Sequence, residues 1–414
     1  MKHYYYSYLE NLINFLLPRN ARTLRVNFTD VSAKKHFVFP SSQYDYVVFS
    51  DVLGFVDDVE SFLREAKKSV SDSGRLIITQ YSTLWEPILR LATFLRLRRV
   101  VAEQNWLSPL DLKNFSYLAG WEVVKSGTKM ILPVYIPFLS YLCNRFLANL
   151  WPFSRLGLIH YLVVRKLEVR DFDNKPTLSI IVAARNEAGT IEKIVKELPS
   201  LGSSTEIIFV EGGSTDNTWA EIKRVASDYS GKKRVLAAVQ DGKGIGDAVR
   251  KGFDLATGDI LTIYNADMTV PPEEIIKFYN SIAENRGDFI NGSRLVYPME
   301  KESMRLCNFL GNKFFSLAFS WIIGQPIKDT LCGTKMLWRK DYQEIKSNRA
   351  FFGDFDPFGD FDLLFGAAKL NLKIIDLPVH YRRRVYGETN ISRWSHGWLL
   401  LKMTVFAAKK IKFI

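Results

Sequence analysis

The stretch Leu178-Ser-Ile-Ile-Val-Ala-Ala-Arg-Asn-Glu187 starts as a continuous apolar run of strand length and ends in polar residues. A second apolar run, 206–211, leads into Gly212-Gly-Ser-Thr-Asp-Asn-Thr218, and a third, 259–264, leads into Asn265-Ala-Asp267. Helical patterns separate these runs. Strands that alternate with helices across short loops predict an α/β fold with a doubly wound parallel sheet. Ligands bind such sheets beyond the carboxyl ends of the strands, so we expect the polar residues there to line a site.

Further motifs follow in a fixed order along the same half of the chain. They are Gly242-Lys-Gly244, Gly292-Ser-Arg294, Asp329-Thr-Leu-Cys-Gly333 and Arg384-Val-Tyr-Gly-Glu388. Together with the strand-end motifs, this order resembles family 2 glycosyltransferases of the GT-A fold. The similar branch contains the dolichyl- and polyprenyl-phosphate mannosyl- or glucosyltransferases. The resemblance covers nearly all of residues 178–390. It implies a GT-A domain over residues 178–396 that transfers a hexose, with inversion, from a UDP- or GDP-linked sugar.

The resemblance implies a metal site at the end of the third apolar run. Asp267 matches the second aspartate of the family's Asp-x-Asp motif, and Asn265 stands in place of the first. Mg²⁺ or Mn²⁺ at such a pair would neutralise the leaving diphosphate as a Lewis acid. An Asn carbonyl can coordinate a hard cation but brings no charge, so we expect a lower metal affinity. An ordinary strand-end turn is the alternative interpretation.

The resemblance also implies the residues that contact the nucleotide sugar. Glu211 is expected at the base or ribose, Lys243 at a phosphate, and Asp216 either in the site or as a helix cap. Arginines suit bidentate contact with phosphates, although three adjacent arginines also fit a solvated basic face. The predicted substrate-binding residues are Ala184, Arg185, Glu187, Glu211, Asp241, Lys243, Asn265, Arg294, Asp329, Arg382, Arg383 and Arg393.

The double motif Gly353-Asp-Phe-Asp356 and Gly359-Asp-Phe-Asp362 is expected near the acceptor. The predicted catalytic residues are Asp267, Asp360, Asp362 and Arg384. A saccharide or glycolipid hydroxyl would need Asp362 as a general base, whereas a polyprenyl phosphate is already an anion and would need only positioning. The lipid phosphate is the favoured acceptor. A non-catalytic nucleotide-sugar-binding or scaffold protein is the alternative outside the enzymes, suggested by Asn265.

Residues 1–168 form a first module with a different signature. A predicted strand at 44–50, a helix at 56–66, a glycine turn at 71–74 and a strand at 75–79 make a parallel strand–helix–strand unit. This run resembles the back half of a class I S-adenosylmethionine-dependent methyltransferase. The cofactor-binding half of that family needs a glycine-rich turn, and no glycine precedes Gly54. We therefore expect a truncated domain that does not bind S-adenosylmethionine.

Three segments suggest contact with a surface. Residues 85–101 and 130–164 mix apolar and aromatic side chains with arginines, which fits either a membrane interface or packing against a domain. Residues 169–177 read as a charged linker. The tail, 397–414, is apolar and basic without any acid, which predicts a helix drawn to anionic lipid or to a membrane partner.

Composition narrows the partners. The 414 residues carry a formal charge of +12, which fits a phosphorylated substrate or an anionic membrane. No zinc-finger spacing or RNA-binding signature is present, so nucleic acid is not expected. The three cysteines are far apart and predict reduced thiols. There is no signal-peptide pattern, and the longest apolar run, 130–143, is interrupted by prolines. We expect a cytoplasmic protein, peripheral at the inner face of the cell membrane.

Overall fold

The computed structural model describes most of the chain, and the fold below refers to that part. The described residues are 2–27, 30–31, 37–96, 105–168, 175–297, 306–351, 359–384, 386 and 393–413. The chain divides into two compact units. Unit 1 comprises Met1–Glu168 together with Ile411–Ile414, and unit 2 comprises Val169–Lys410.

Unit 1 is built on a five-stranded sheet. Its strands are β1 (Thr23–Asn27), β2 (Tyr44–Ser50), β3 (Val70–Tyr81), β4 (Trp121–Lys129) and β5 (Ile159–Lys166), in the order β1-β2-β3-β5-β4. β1, β2 and β3 are parallel, and β5 runs antiparallel to both β3 and β4. Its helices are α1 (Lys2–Leu16), α2 (Val59–Ala66), α3 (Glu86–Phe94), α4 (Pro109–Leu118) and α5 (Leu139–Arg145).

Both faces of this sheet are covered. Successive side chains of a strand point to opposite faces, and β2 shows this alternation. Val47 and Phe49 belong to one buried cluster, together with residues of α2 and α4. Val48 belongs to the other, together with residues of α1. The predicted strand at 44–50 is therefore confirmed, and it is a central element of a two-sided core.

One prediction for this unit is wrong. The segment 71–74 is not a turn, because β3 already starts at Val70 and pairs with β2 through an irregular register. A Cβ on Gly74 would come within 2.9 Å of the Asp45 carbonyl oxygen, so this glycine allows the close strand approach. The sequence of segment 130–164 fits either a membrane interface or packing against a domain, and its end forms β5, which is buried. The basic residues at the end of β5 made a buried strand hard to recognise from the sequence. Arg165 is nevertheless buried, and it pairs with Glu122 at 2.7 Å.

Unit 2 contains a seven-stranded sheet and eight α-helices among the residues described. The strands are β6 (Leu178–Ala184), β7 (Thr205–Glu211), β8 (Arg234–Val239), β9 (Ile260–Ile263), β10 (Phe289–Ser293), β11 (Lys335–Trp338) and β12 (Ile374–Pro378), in the order β12-β10-β11-β9-β6-β7-β8. The helices are α6 (Ile191–Glu197), α7 (Thr218–Asp228), α8 (Ile245–Leu255), α9 (Ile275–Ala283), α10 (Leu306–Ile323), α11 (Arg339–Ser347), α12 (Asp360–Lys369) and α13 (Arg393–Ala407).

The predicted α/β architecture of this half is confirmed, with one difference. Strands β6, β7, β8 and β9 pair in parallel, as do β10 and β12. β11 runs antiparallel between β9 and β10, so the sheet is mixed. The three apolar runs that predicted the fold are β6, β7 and β9, and they lie side by side with their carboxyl ends at one edge.

The predicted tail is only partly available to a surface. Leu400, Met403 and Ala407 on α13 are buried, whereas Trp398 and Val405 on its other side are exposed. The final residues 411–414 belong to unit 1. Throughout the described ranges, every helix is too short or too polar to cross a bilayer.

Candidate active site

The carboxyl ends of β6, β7 and β9 bring three polar loops together. Ala184 at the end of β6 pairs with Glu211 at the end of β7, and the Tyr264 amide after β9 donates to the Ile181 carbonyl at 2.9 Å. Because parallel strands end at the same edge, the residues that follow them share a neighbourhood. The loops after β6 and β9 meet through their side chains.

Asp267 lies in a tight turn after β9. Its Oδ1 accepts hydrogen bonds from the backbone amide and the hydroxyl of Thr269, at 3.1 and 2.9 Å. The preceding loop residue, Met268, has a φ of 51°, which turns the chain sharply. This geometry fixes the Asp267 carboxylate and leaves its Oδ2 within reach of Arg384.

Arg384 joins Asp267 to the loop after β6. Its Nη2 lies 3.2 Å from Asp267 Oδ2, and its Nη1 donates to Glu187 Oε1 at 2.7 Å. One guanidinium therefore links two carboxylates from different strand ends. Residues that lie far apart in the sequence form this three-residue cluster of Glu187, Asp267 and Arg384.

Glu187 retains unused binding capacity within the cluster. Its second oxygen, Oε2, is buried and has no hydrogen-bond partner. Burial raises the pKa of Glu187 to about 7, the nearby Arg384 lowers it, and the negative charge of Asp267 raises it again. A buried, unpartnered acceptor carries an unmet desolvation cost, which a ligand cation or hydroxyl would relieve.

The Glu187 backbone is held by the loop that follows β7. Asn186 has a φ of 57°, and its Oδ1 accepts from the Thr215 amide at 2.8 Å. The Glu187 amide donates to Thr218 Oγ1 at 2.9 Å. Asp216 accepts from the Ala188 amide at 3.4 Å and from the Thr218 amide at 2.9 Å. Asp216 thus ties the two loops together and positions Glu187.

Glu211 is fixed at the start of the same loop. Its side chain is buried and accepts a hydrogen bond from the Ser214 amide. Burial alone would raise the pKa of Glu211, but the hydrogen bonds from Ser214 and Gly213 outweigh burial and lower it, so the group stays ionised. Arg185 is exposed beside this loop, with its Cβ 3.4 Å from where a Cβ on Gly212 would lie.

The donor set at this edge fits Mg²⁺ or Mn²⁺, which prefer oxygen ligands. Asp267 and Glu187 offer carboxylate oxygens, and the Glu187 Oε2 is unpartnered. Asn265 packs against Gly333, where an added Cβ would lie 2.5 Å from Asn265 Oδ1. Within the residues described, no three His, Cys, Asp or Glu side chains form a complete ligand group. A metal here would therefore take further ligands from a substrate.

Other predicted site residues have partners away from this cluster. The partly buried Arg294 pairs with the buried Asp329, with Nε–Oδ2 and Nη2–Oδ1 distances of 2.8 and 2.9 Å. Asp241 pairs with Lys251 at 2.9 Å, and Arg382 with Glu273 at 3.3 Å. Exposed side chains without a place in the cluster are Lys243 and Arg383.

Asp362 lies on α12 between two arginines. Arg250 Nη1 is 3.5 Å and Arg349 Nε is 3.3 Å from its Oδ2. The sequence did not identify these arginines, or Thr269 and Thr218, because their roles depend on loop and helix packing. The side chains of Asp360 and Arg393 lie outside the described part of the structure, as does the 353–356 motif.

Comparison with known proteins identifies the class to which this site belongs. The family model described as "Glycosyl transferase family 2" matches residues 179–346, which carry the strand-end loops of β6, β7 and β9. Unit 2 therefore contains a family 2 glycosyltransferase domain. The model described as "Methyltransferase domain" matches residues 2–126 of unit 1. Both predicted resemblances are confirmed.

Several curated proteins are similar to this chain. The low-salt glycan biosynthesis hexosyltransferase Agl6 of Haloferax volcanii is 25% identical over 244 residues, covering 58% of this chain and 56% of the relative. The dolichol-phosphate mannosyltransferase of Pyrococcus furiosus is 33% identical over 121 residues, covering 29% of this chain and 33% of the relative. These two matches thus span only about half and a third of the relatives' lengths.

Two further comparisons complete the set. The UDP-N-acetylglucosamine–dolichyl-phosphate N-acetylglucosaminyltransferase of Methanococcus voltae is 24% identical over 238 residues, covering 54% of this chain and 92% of the relative. Among solved structures, glucosyl-3-phosphoglycerate synthase from Mycobacterium tuberculosis, in complex with Mn²⁺, UDP and glucosyl-3-phosphoglycerate, is similar. It has a TM-score of 0.41 and 17% identity, and the match covers 57% of this chain and 80% of that one.

Proposed function

We propose that this protein transfers a hexose from a nucleoside diphosphate sugar to a lipid phosphate, with inversion at the anomeric carbon. The observation that carries the proposal is the cluster of Glu187, Asp267 and Arg384 at the strand ends of a family 2 domain. Two similar proteins are named for transfer to dolichyl phosphate or dolichol phosphate. The chemistry of the cluster supports binding of the donor diphosphate, and those names support a polyprenyl-type phosphate as acceptor.

The carboxylate of Asp267 would hold the divalent cation, with Asn265 as a weaker neighbour. When bound, Mg²⁺ or Mn²⁺ neutralises charge that develops on the leaving diphosphate. Thr269 keeps the Asp267 carboxylate in place through two hydrogen bonds, so the ligand is preorganised. Glu187 Oε2 is free to accept from a donor hydroxyl or to face the cation.

Arg384 would change partners when the donor binds. It lies in reach of two carboxylates, and a phosphate oxygen is a comparable anion for a guanidinium. The exposed basic side chains of Arg185 and Lys243 stand ready to contact a UDP or GDP moiety. Glu211 stays ionised and would accept hydrogen bonds from the base or ribose. The buried Arg294–Asp329 pair would act by shaping the site, because each partner is engaged by the other.

A phosphate acceptor needs no general base. Its oxygen would attack the anomeric carbon, the bond to the nucleoside diphosphate would break, and the diphosphate would leave with the electron pair. No proton has to move. Asp362 sits between Arg250 and Arg349, and in this proposal it holds those arginines near the acceptor instead of abstracting a proton. With a lipid-linked acceptor, the transfer would take place at the cytoplasmic face of a membrane, to which the protein would bind peripherally.

A donor screen tests the proposal. Purified protein is incubated with UDP- and GDP-hexoses and Mn²⁺, with and without polyprenyl phosphate, and nucleotide release is measured. We expect release that depends on both the lipid phosphate and Mn²⁺. Donor binding without turnover would instead support the scaffold alternative, and release driven by a saccharide would support a hydroxyl acceptor.

One variant locates the chemistry. Asp267→Ala removes the charged ligand, and we expect the rate to fall by about a hundredfold or more at every Mn²⁺ concentration. Asp254→Ala is the matched control, because Asp254 is an exposed aspartate of the same unit that pairs with Lys346 and accepts a hydrogen bond from Tyr342. Activity retained in Asp267→Ala would show that the metal site lies elsewhere.

A further inference from the structure

The carboxyl end of β3 and the adjoining ends of β4 and β5 carry an unusual surface in unit 1. Tyr81 at the end of β3 pairs with Ile159, which also pairs with Lys129 at the end of β4. The segments that contain α3, α5 and the turn before β5 therefore emerge from one end of the sheet. Trp85 Nε1 donates to the Leu156 carbonyl at 2.8 Å, which joins the first and last of these segments.

These segments expose large apolar side chains in succession. Ile88, Leu91 and Phe94 face solvent on α3, and Phe94 is 82% exposed. Every residue from Val134 to Leu139 is exposed, with Phe138 at 80%, and Trp151 in the following turn is 75% exposed. We call this set, Ile88, Leu91, Phe94, Tyr135, Phe138 and Trp151, the apolar end surface. Contiguous patches of this kind mark interaction sites.

The backbone beneath the exposed loop is firmly held. Ser140 Oγ donates to the Val134 carbonyl and accepts from the Ile136 amide, both at 2.7 Å. Asn144 Oδ1 accepts from the amides of Ile131 and Leu132, and both Ser140 and Asn144 are buried. Buried polar groups thus fix a loop whose apolar side chains point outward. The exposure is a built feature of the fold.

The charge around this surface is mainly positive, and Glu86 at the start of α3 is paired with Arg90 at 2.6 Å. Residues 87–102 and 123–167 contain no aspartate or glutamate. Arg96 and Arg155 are exposed among the described residues, and Arg145 is partly exposed beside Tyr141. Apolar side chains next to an excess of arginines match an anionic bilayer, because the interface offers both a hydrocarbon boundary and negative headgroups.

We propose that the apolar end surface of the methyltransferase-like unit docks this protein onto an anionic lipid bilayer. Phe94, Phe138 and Trp151 insert at the headgroup boundary, and the arginines contact the lipid phosphates. This assigns a binding role to a unit that lacks the glycine-rich turn of its family. It is compatible with the proposed transfer to a lipid phosphate but does not depend on it.

Vesicle flotation with the full chain tests this assignment. The probes are vesicles of phosphatidylcholine with phosphatidylglycerol and vesicles of phosphatidylcholine alone. We expect the protein to float with the anionic vesicles, and raised salt to weaken that binding. The double variant Phe94→Ser/Phe138→Ser should bind the anionic vesicles at least about tenfold more weakly, because it lacks the two aromatic side chains that the bilayer interface would bury.

The matched control is Tyr117→Ser. Tyr117 is an aromatic residue on α4 that is 66% exposed, and it lies four residues before the start of β4 and thus at the opposite end of the sheet. It should float like the natural protein. Circular dichroism and the thermal midpoint of each variant establish that the fold is intact.

Three results would overturn the proposal. They are failure of the natural protein to bind anionic vesicles, equal binding by the double variant, and a concentration-dependent dimer in sedimentation velocity that the double variant abolishes. Nucleotide release from the donor, with a water-soluble acceptor analogue in place of the lipid phosphate, is measured in parallel. Loss of vesicle binding with that release intact separates this proposal from the proposed catalytic function.

Discussion

At the scale of single residues, Asn265 stands where the Asp-x-Asp motif of the family has its first aspartate, and this difference leads to a testable prediction. Asn265→Asp adds a charge close to Asp267, and ligand charge is a main determinant of affinity for hard cations. We expect half-maximal activity at about tenfold less Mn²⁺. The control is Asn280→Asp, which places the same charge at an exposed position on α9. An unchanged metal dependence in Asn265→Asp would show that this side chain is outside the coordination shell.

Lys129 at the end of β4 gives a pH-dependent prediction. Its Nζ donates to Asn149 Oδ1 at 2.6 Å, and burial, followed by the charges of Lys412 and Lys125, lowers its pKa from 10.5 to about 7. Between these pH values the unfolded chain keeps a proton that the folded chain has lost. Stability attributable to this group therefore rises with pH from about 7 to 10 and is lowest below 7.

Lys129→Met removes this contribution. We expect the thermal midpoint of the variant to exceed that of the natural protein at pH 7, by about 3 °C or more, and the difference to shrink towards pH 9.5. Lys113→Met, at an exposed position on α4, should show a difference that does not change with pH. A constant difference for Lys129→Met would mean that the lysine stays charged when buried.

Sequence could locate some of these residues and not others. Asp267 and Glu187 were predictable because each follows an apolar strand, and strand ends meet at one edge. Their link through Arg384 was not predictable, since it depends on the path of a distant loop. The motifs that contain Arg294 and Asp329 predict that these residues bind a ligand, yet the two side chains form an ion pair with each other. A motif records which residues are present and does not record which partner is nearest.

At the scale of elements, the packing of α8 on β6 sets a size limit. A Cβ on Gly252 would lie 2.4 Å from Ile181 Cγ2, well inside contact distance. Gly252→Ala should destabilise the protein by about 1–3 kcal/mol through overpacking, measured by urea denaturation. Gly311→Ala on α10 is the matched control, because nothing lies within 4 Å of that position. It should be neutral or stabilising by up to about 1 kcal/mol.

A loss of stability in Gly311→Ala equal to that in Gly252→Ala would contradict this account of the packing.

The strands also show why some elements could be predicted from the sequence and others could not. β6, β7 and β9 are mostly apolar along their whole length, because they are buried on both faces. β5 is equally central but ends in buried charges, and β8 is an edge strand with little burial. Neither has the pattern that marks a buried strand.

At the scale of the whole molecule, ligands should affect the two units differently. Hydrogen exchange is measured with UDP or GDP plus Mn²⁺, and separately with S-adenosylmethionine. We expect the nucleotide to slow exchange in the loops at 184–188, 211–216 and 265–269, because a bound ligand stabilises the state that binds it. S-adenosylmethionine should leave unit 1 unchanged. Protection by S-adenosylmethionine near 50–54 would show that the methyltransferase-like unit keeps its cofactor site.

The bridge made by Arg384 has a consequence for the order in which ligands arrive. A free cation that approaches Asp267 is repelled by the guanidinium of Arg384, which already pairs with that carboxylate. The free cation brings no anion that could replace Asp267 as a partner of Arg384. A cation that arrives already complexed to a nucleoside diphosphate supplies a new anion as it displaces Arg384. We therefore expect the cluster to bind the metal–nucleotide complex in preference to the free metal ion.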